Sequence, residues 1–165
     1  MTVVAVVGNP RPDSRTHAIA RTLAAEIARH RDDDTGEVDL AILGPRVLDR
    51  DDPAAREATQ RTLDAGVLVV ASPTYKATYS GLLKAFLDRI GGGALQGAPA
   101  VPVLLGGAPD HRLAVDVHLT PLLLELGATL PARGLFVLES ELDEFPERAA
   151  RWAGEHFAHL TGSRP

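Results

Sequence analysis

A chain of 165 residues has the size of one domain and is long enough to bury a real core. Its 45% hydrophobic and 24% charged residues are ordinary for a globular protein, and a net charge of −5 with no basic block excludes a nucleic-acid surface. The absence of cysteine excludes disulfides, thiolate metal sites and a cysteine nucleophile.

Residues 3–7 form a continuous apolar run, the pattern of a strand buried on both faces. Neither a charged leader nor a long apolar stretch is seen here, so no signal peptide or membrane span is expected, and the cytoplasm is the expected location. Residues 14–30 predict a helix, with Ile19, Leu23 and Ile27 on one face. A second strand is expected over 37–43, a loop over 44–53 and a helix over 54–65. "GVLVVA" at 66–71 is a third buried strand, followed by a helix over 79–90 with Leu82, Leu83, Phe86, Leu87 and Ile90 inward. After the turn "GGGALQG", residues 99–105 make a fourth strand. Pro102 is tolerated there only at a bulge or near an edge. Residues 111–126 are helical, 128–138 contain a fifth strand, and 146–160 close the domain as a helix with Trp152, Ala153, His156, Phe157 and Leu160 in one stripe. Residues 1–160 therefore read as a single domain, with 161–165 as a disordered tail.

Strands alternating with helices imply a parallel sheet covered on both faces. Five of them fit the flavodoxin-like order 2-1-3-4-5, a three-layer α/β sandwich. Ligands in such sheets bind beyond the carboxyl ends of the strands, near the reversal of strand order. That rule selects the loops 8–16, 72–79 and 106–111.

The first loop reads "GNPRPDSRT". A helix N-terminus offers unpaired N–H groups and partial positive charge. Arg11 and Arg15 add charged forks, and Asn9, Ser14 and Thr16 add amide and hydroxyl donors. Singly, each has an ordinary role as a cap or a solvated side chain. Together, at the end of the first strand, they point to an anion. No dinucleotide fingerprint or P-loop is present, so a phosphomonoester is the expected group. The second loop, "SPTYKATYS", places Pro73, Thr74, Tyr75 and Lys76 across the sheet top, where Tyr75 suits a flat apolar edge. In the third, Gly106 and Gly107 allow a backbone or a flat ring to come close, with His111 beside them. No catalytic triad is visible. His156 and His159 lack a third ligand, so no metal site is expected.

"GNPRPDSRT" resembles the phosphate loop of the NAD(P)H-dependent FMN reductase family, with Asn9 where a serine is usual. "SPTYKATYSGLLKAFLD" resembles the second signature of that family through Pro73, Tyr75, Gly81, Leu82 or Leu83, Lys84 and Asp88. The stretch from Ala94 to Ala128 is similar to the alkanesulfonate-type FMN reductases that serve two-component monooxygenases. The resemblance spans about residues 3–140. It implies FMN, its phosphate held by Asn9, Arg11, Ser14, Arg15 and Thr16. It places residues 73–76 at the isoalloxazine edge and Gly106 and Gly107 at the pyrimidine side. NAD(P)H is then the co-substrate and no side-chain acid or base is obligatory. A quinone, azo or metal-oxyanion reductase with bound FMN, a flavodoxin-like electron carrier and a non-catalytic flavin sensor are the alternatives. The helix 111–126 lacks a clean polar face, which predicts a subunit interface in a homodimer or homotetramer, with a kink at Pro121.

Overall fold

The computed structural model describes residues 1–160; the expectation of a disordered tail over 161–165 lies outside them. Five parallel strands pair in the order β2-β1-β3-β4-β5, as expected. They are β1 (Thr2–Val7), β2 (Asp34–Asp39), β3 (Val67–Pro73), β4 (Ala100–Gly106) and β5 (Leu135–Leu138). Alternation along each strand divides the core between two faces. Val3, Ala5 and Val7 pack with Ile19, Leu23 and Ile27 of α1 (Arg15–Arg31) and with Trp152 and Ala153 of α6 (Phe145–His156). Val4 and Val6 face the other layer. That layer holds α2 (Leu40–Leu43), α3 (Pro53–Leu63), α4 (Gly81–Leu87) and α5 (Thr120–Glu125).

The second strand begins three residues earlier than its apolar run suggests. Asp39 accepts a hydrogen bond from the Ala41 N–H at 3.0 Å and caps a helical turn, so Leu40, Leu43 and Val47 reach the core from helical backbone. The polar residues before them can form β2 because it is an edge strand. Ser80 caps α4, which shortens the expected helix 79–90 to seven residues plus a turn.

Pro102 lies within β4 without a bulge. The Ala100 N–H bonds to Thr129 O, so the nitrogen two residues on faces the same flank. The ladder with β5 starts only at Val103, opposite Leu135. The missing N–H of Pro102 therefore falls where no partner strand has begun.

The segment 111–126 is not one helix. A 3₁₀ turn at Pro109–His111 leads to a π-helical turn at Val115–Leu119 and then α5. Pro121, which lacks an N–H, stands in the first turn of α5, and the Thr120 N–H bonds back to Val115 O. The expected kink is thus absorbed as a wide turn. Leu119 and Leu123 are fully buried within the chain, whereas Leu113, Val117 and Leu124 are exposed.

Candidate flavin phosphate shelf at the strand ends

The strand ends of β1 and β3 are tied together before any helix begins. The Gly8 N–H donates to Ala71 O at 2.7 Å. Gly8 is required for close approach: a Cβ there would lie 2.6 Å from the Leu83 Cβ of α4. The Ser80 hydroxyl donates to Gly8 O and accepts from the Leu83 N–H, while the Ser72 hydroxyl accepts from the Ser80 N–H at 2.9 Å. Both serines are buried. This network anchors the first loop to the second.

Beyond Gly8 the loop turns under its own side chains. The Arg11 N–H donates to Asn9 Oδ1 at 2.9 Å, and Asn9 Nδ2 donates to Thr16 Oγ1 at 3.1 Å. Asn9 is 7% exposed and Thr16 is fully buried, so the two brace the loop from beneath. Asp13 sits at φ +50°, and Ser14 caps α1 by accepting from the His17 N–H. The N–H groups of Arg15 and Thr16 have no acceptor among the described residues. The first turn of α1 contains no acidic residue. Arg11 is exposed, and its guanidinium makes no ion pair among the described residues; that of Arg15 pairs with Glu139 at 2.9 Å. The loop and the first turn of α1 thus carry two arginines and two N–H groups without acceptors among the described residues.

The second loop is a two-residue hairpin. Tyr75 and Thr78 exchange both backbone hydrogen bonds, at 2.8 and 3.2 Å, and the central Lys76 and Ala77 lie at φ +51° and +64°. This is the type I′ pattern that favours Asn-Gly, so two ordinary side chains hold left-handed backbone at a cost of about 1–2 kcal/mol each. The hairpin carries Tyr75, 45% exposed, to the rim. Below it, the hydroxyl of Thr74 is the sole buried side-chain polar atom without a partner among the described residues. In α4, Lys84 pairs with Asp88, the residue that ends the helix. The hydrogen bond that Lys84 donates to the Asp88 carboxylate holds its ammonium above the usual lysine range. These two signature residues thus engage each other.

The third loop closes the shelf. Nothing lies within 4 Å of where a Gly107 side chain would start, so that position faces open space. At Gly106 the reason for glycine differs from the one expected: a Cβ would meet the Phe136 ring at 2.5 Å, with Thr74 Oγ1 at 3.4 Å. His111 is half-buried in the adjoining 3₁₀ turn, and its ring makes no hydrogen bond among the described residues.

The residues missed from the sequence are Ser72, Ser80, Glu139 and Glu141. Ser80 had a legible signal, a serine directly before an apolar helix. The two glutamates follow β5, and the strand-end rule extended to that strand would have found them. Glu141 pairs with Arg112 and Arg148, which leaves Glu139 to reach α1. Two clefts of about 660 and 470 Å³ lie along the sheet edges, one between α1 and β2 and one beside β5. Neither is lined by residues 9–16 or 73–76, and in the second Arg112, Arg133 and Arg148 are satisfied by Asp116 and Glu141. Among the described residues no group of His, Asp or Glu could hold a metal ion, and no helix is long and apolar enough to cross a membrane.

The family model of the NADPH-dependent FMN reductases matches residues 1–143. An FMN reductase (NADPH) of Escherichia coli is 35% identical over 90% of this chain and 78% of its own. An NADH-dependent FMN reductase of Pseudomonas fluorescens is 31% identical over 98% of this chain and 92% of its own. The apo crystal structure of an NADH:FMN oxidoreductase superposes with a TM-score of 0.88 at 33% identity, over 99% of this chain and 91% of the other. A WrbA-like flavodoxin from Agrobacterium tumefaciens, at 16% identity and a TM-score of 0.66 over 96% of this chain and 98% of its own, shares the fold. With the family model spanning most of the chain and relatives at this identity along nearly its whole length, the chain belongs to the NADPH-dependent FMN reductase family.

Proposed function

We propose that this chain is an NAD(P)H:FMN oxidoreductase that binds FMN across the three strand-end loops and hands reduced flavin to a partner monooxygenase. The observation that carries the reading is the set of donors at the start of α1. Arg11, Arg15 and the N–H groups of Arg15 and Thr16, which have no acceptor among the described residues, lie within six residues of chain at the helix start. A phosphomonoester satisfies all of them, and the Ser14 hydroxyl, which accepts from His17, keeps its proton to donate. The Asn9 and Thr16 side chains act beneath these donors, fixing the loop in the shape the phosphate needs.

The rest of the shelf fits a flat, partly polar ring. Pro73 ends β3 and Thr74 follows it, and the Thr74 hydroxyl, without a partner among the described residues, offers a hydrogen bond to a ring heteroatom. Gly107 leaves room for a ring face, and Tyr75, Lys76 and His111 stand at its rim. FMN supplies the hydride-accepting chemistry when bound. The chain positions the phosphate, borders the ring and leaves one side open for a nicotinamide. No side chain in the shelf is required as nucleophile or base.

Assembly as a homodimer or homotetramer is part of the proposal. Leu113, Val117 and Leu124 are large apolar side chains exposed along this segment, beside the exposed Arg112, His118, Pro121 and Glu125. The interface expected along the whole of 111–126 narrows to those side chains, because Leu119 and Leu123 belong to the core.

Turnover tests the activity. The purified chain should oxidise NADH or NADPH rapidly only after FMN is added. Rapid quinone reduction by a yellow preparation with no added FMN would contradict a released flavin, and no oxidation with FMN would contradict the activity itself.

A further inference from the structure

We infer that Glu139 competes with the flavin phosphate for Arg15 and so weakens the hold of the chain on FMN; this rests on the proposed phosphate shelf. Arg15 is the first residue of α1, a cation at the positive end of a helix dipole, and no acidic residue of that turn offsets it. An arginine there calls for an anion from elsewhere. Two can serve it. One is the phosphate of the ligand. The other is Glu139, 124 residues away in sequence, whose Oε2 lies 2.9 Å from Arg15 Nη1.

Glu139 is well placed for this role. It directly follows β5, at the same end of the sheet as the phosphate loop. Its neighbour Glu141 is held by Arg112 and Arg148 and accepts from the Leu138 N–H, which fixes the turn that presents Glu139. The Arg15 and Glu139 side chains are 65% and 48% exposed, so their pair is weak and exchangeable. A dianionic phosphate among Arg11, Arg15 and the helix N–H groups displaces the carboxylate. The carboxylate recaptures Arg15 as the phosphate leaves. Arg11, with no such competitor among the described residues, contacts the bound phosphate whether or not Glu139 holds Arg15.

The test is a fluorescence titration of FMN and riboflavin with wild type, Glu139→Gln and Asp143→Asn. Asp143 lies in the same loop, is exposed and forms no ion pair among the described residues, so it controls for the loss of one negative charge. Glu139→Gln should lower the Kd for FMN by about two- to fivefold, the range an exposed ion pair allows, and leave riboflavin unchanged. The gain should shrink with added salt and vanish in an Arg15→Gln background. Asp143→Asn should change neither flavin. An unchanged FMN affinity in Glu139→Gln, or equal tightening of both flavins, would overturn the competition while leaving the shelf standing. Equal binding of FMN and riboflavin by the wild type would overturn the shelf and this inference with it.

Discussion

At the residue scale, a few side chains decide whether the first loop exists at all. Ser80 is the clearest case. Its hydroxyl caps α4 and donates to the buried Gly8 carbonyl, so one group holds a helix start and a strand end together. Ser80→Ala removes the cap and leaves the Gly8 carbonyl unpaired. The expected loss is about 2 kcal/mol, a drop of roughly 4–8 °C in Tm for a chain of this size, with weaker FMN binding because the loop start is freed. An unchanged melting curve would contradict the anchoring role. Asn9 shows where residue-type reasoning stops. The sequence identifies an amide able to meet a phosphate. The fold places that amide 7% exposed, donating to Thr16 and accepting from Arg11. Donor chemistry was legible; which partner would take it depended on a loop path that composition does not encode.

Elements were legible wherever burial followed one period. β1, β3, β4 and α1 agree with their apolar patterns to within a residue or two, and β5 occupies only the last four residues of the window 128–138. β2 slipped because Asp39 caps a turn, which lets the apolar residues after it reach the core without being a strand. The hairpin at 75–78 was invisible for another reason: Lys76 and Ala77 carry no turn chemistry, and only tertiary placement holds them at positive φ. The segment 109–125 divides its leucines between core and surface in a way a uniform helical wheel misreads, since a π turn shifts the register partway along. Its two sets of side chains should therefore fail differently. Val117→Glu, at a side chain 56% exposed, should give a folded protein of smaller assembly size. Leu119→Glu, in the core, should lose several kcal/mol and prevent folding. Light scattering and circular dichroism separate the two outcomes. An unchanged assembly size in Val117→Glu, with the fold intact, would remove that face as an interface.

At the scale of the whole molecule, the strand order does most of the functional work. Placing β1 between β2 and β3 puts the switch point at the ends of β1 and β3, and the loops after β1, β3 and β4 leave the sheet at that end. Alternation of strands and helices was enough to choose that topology and to select those loops before any contact was known. It did not reveal the contribution of the turn after β5, because Glu139 acts across 124 residues and carries no local motif. The central claim is that the start of α1 is a phosphate site for FMN. Paired titrations of FMN and riboflavin against wild type and Arg11→Ala test it most directly. A charge-assisted contact contributes about 1.5–3 kcal/mol, so FMN should bind wild type at least tenfold more tightly than riboflavin. Arg11→Ala should collapse most of that ratio by weakening FMN alone. Equal affinities for the two flavins in the wild type, or a ratio untouched by Arg11→Ala, would contradict it.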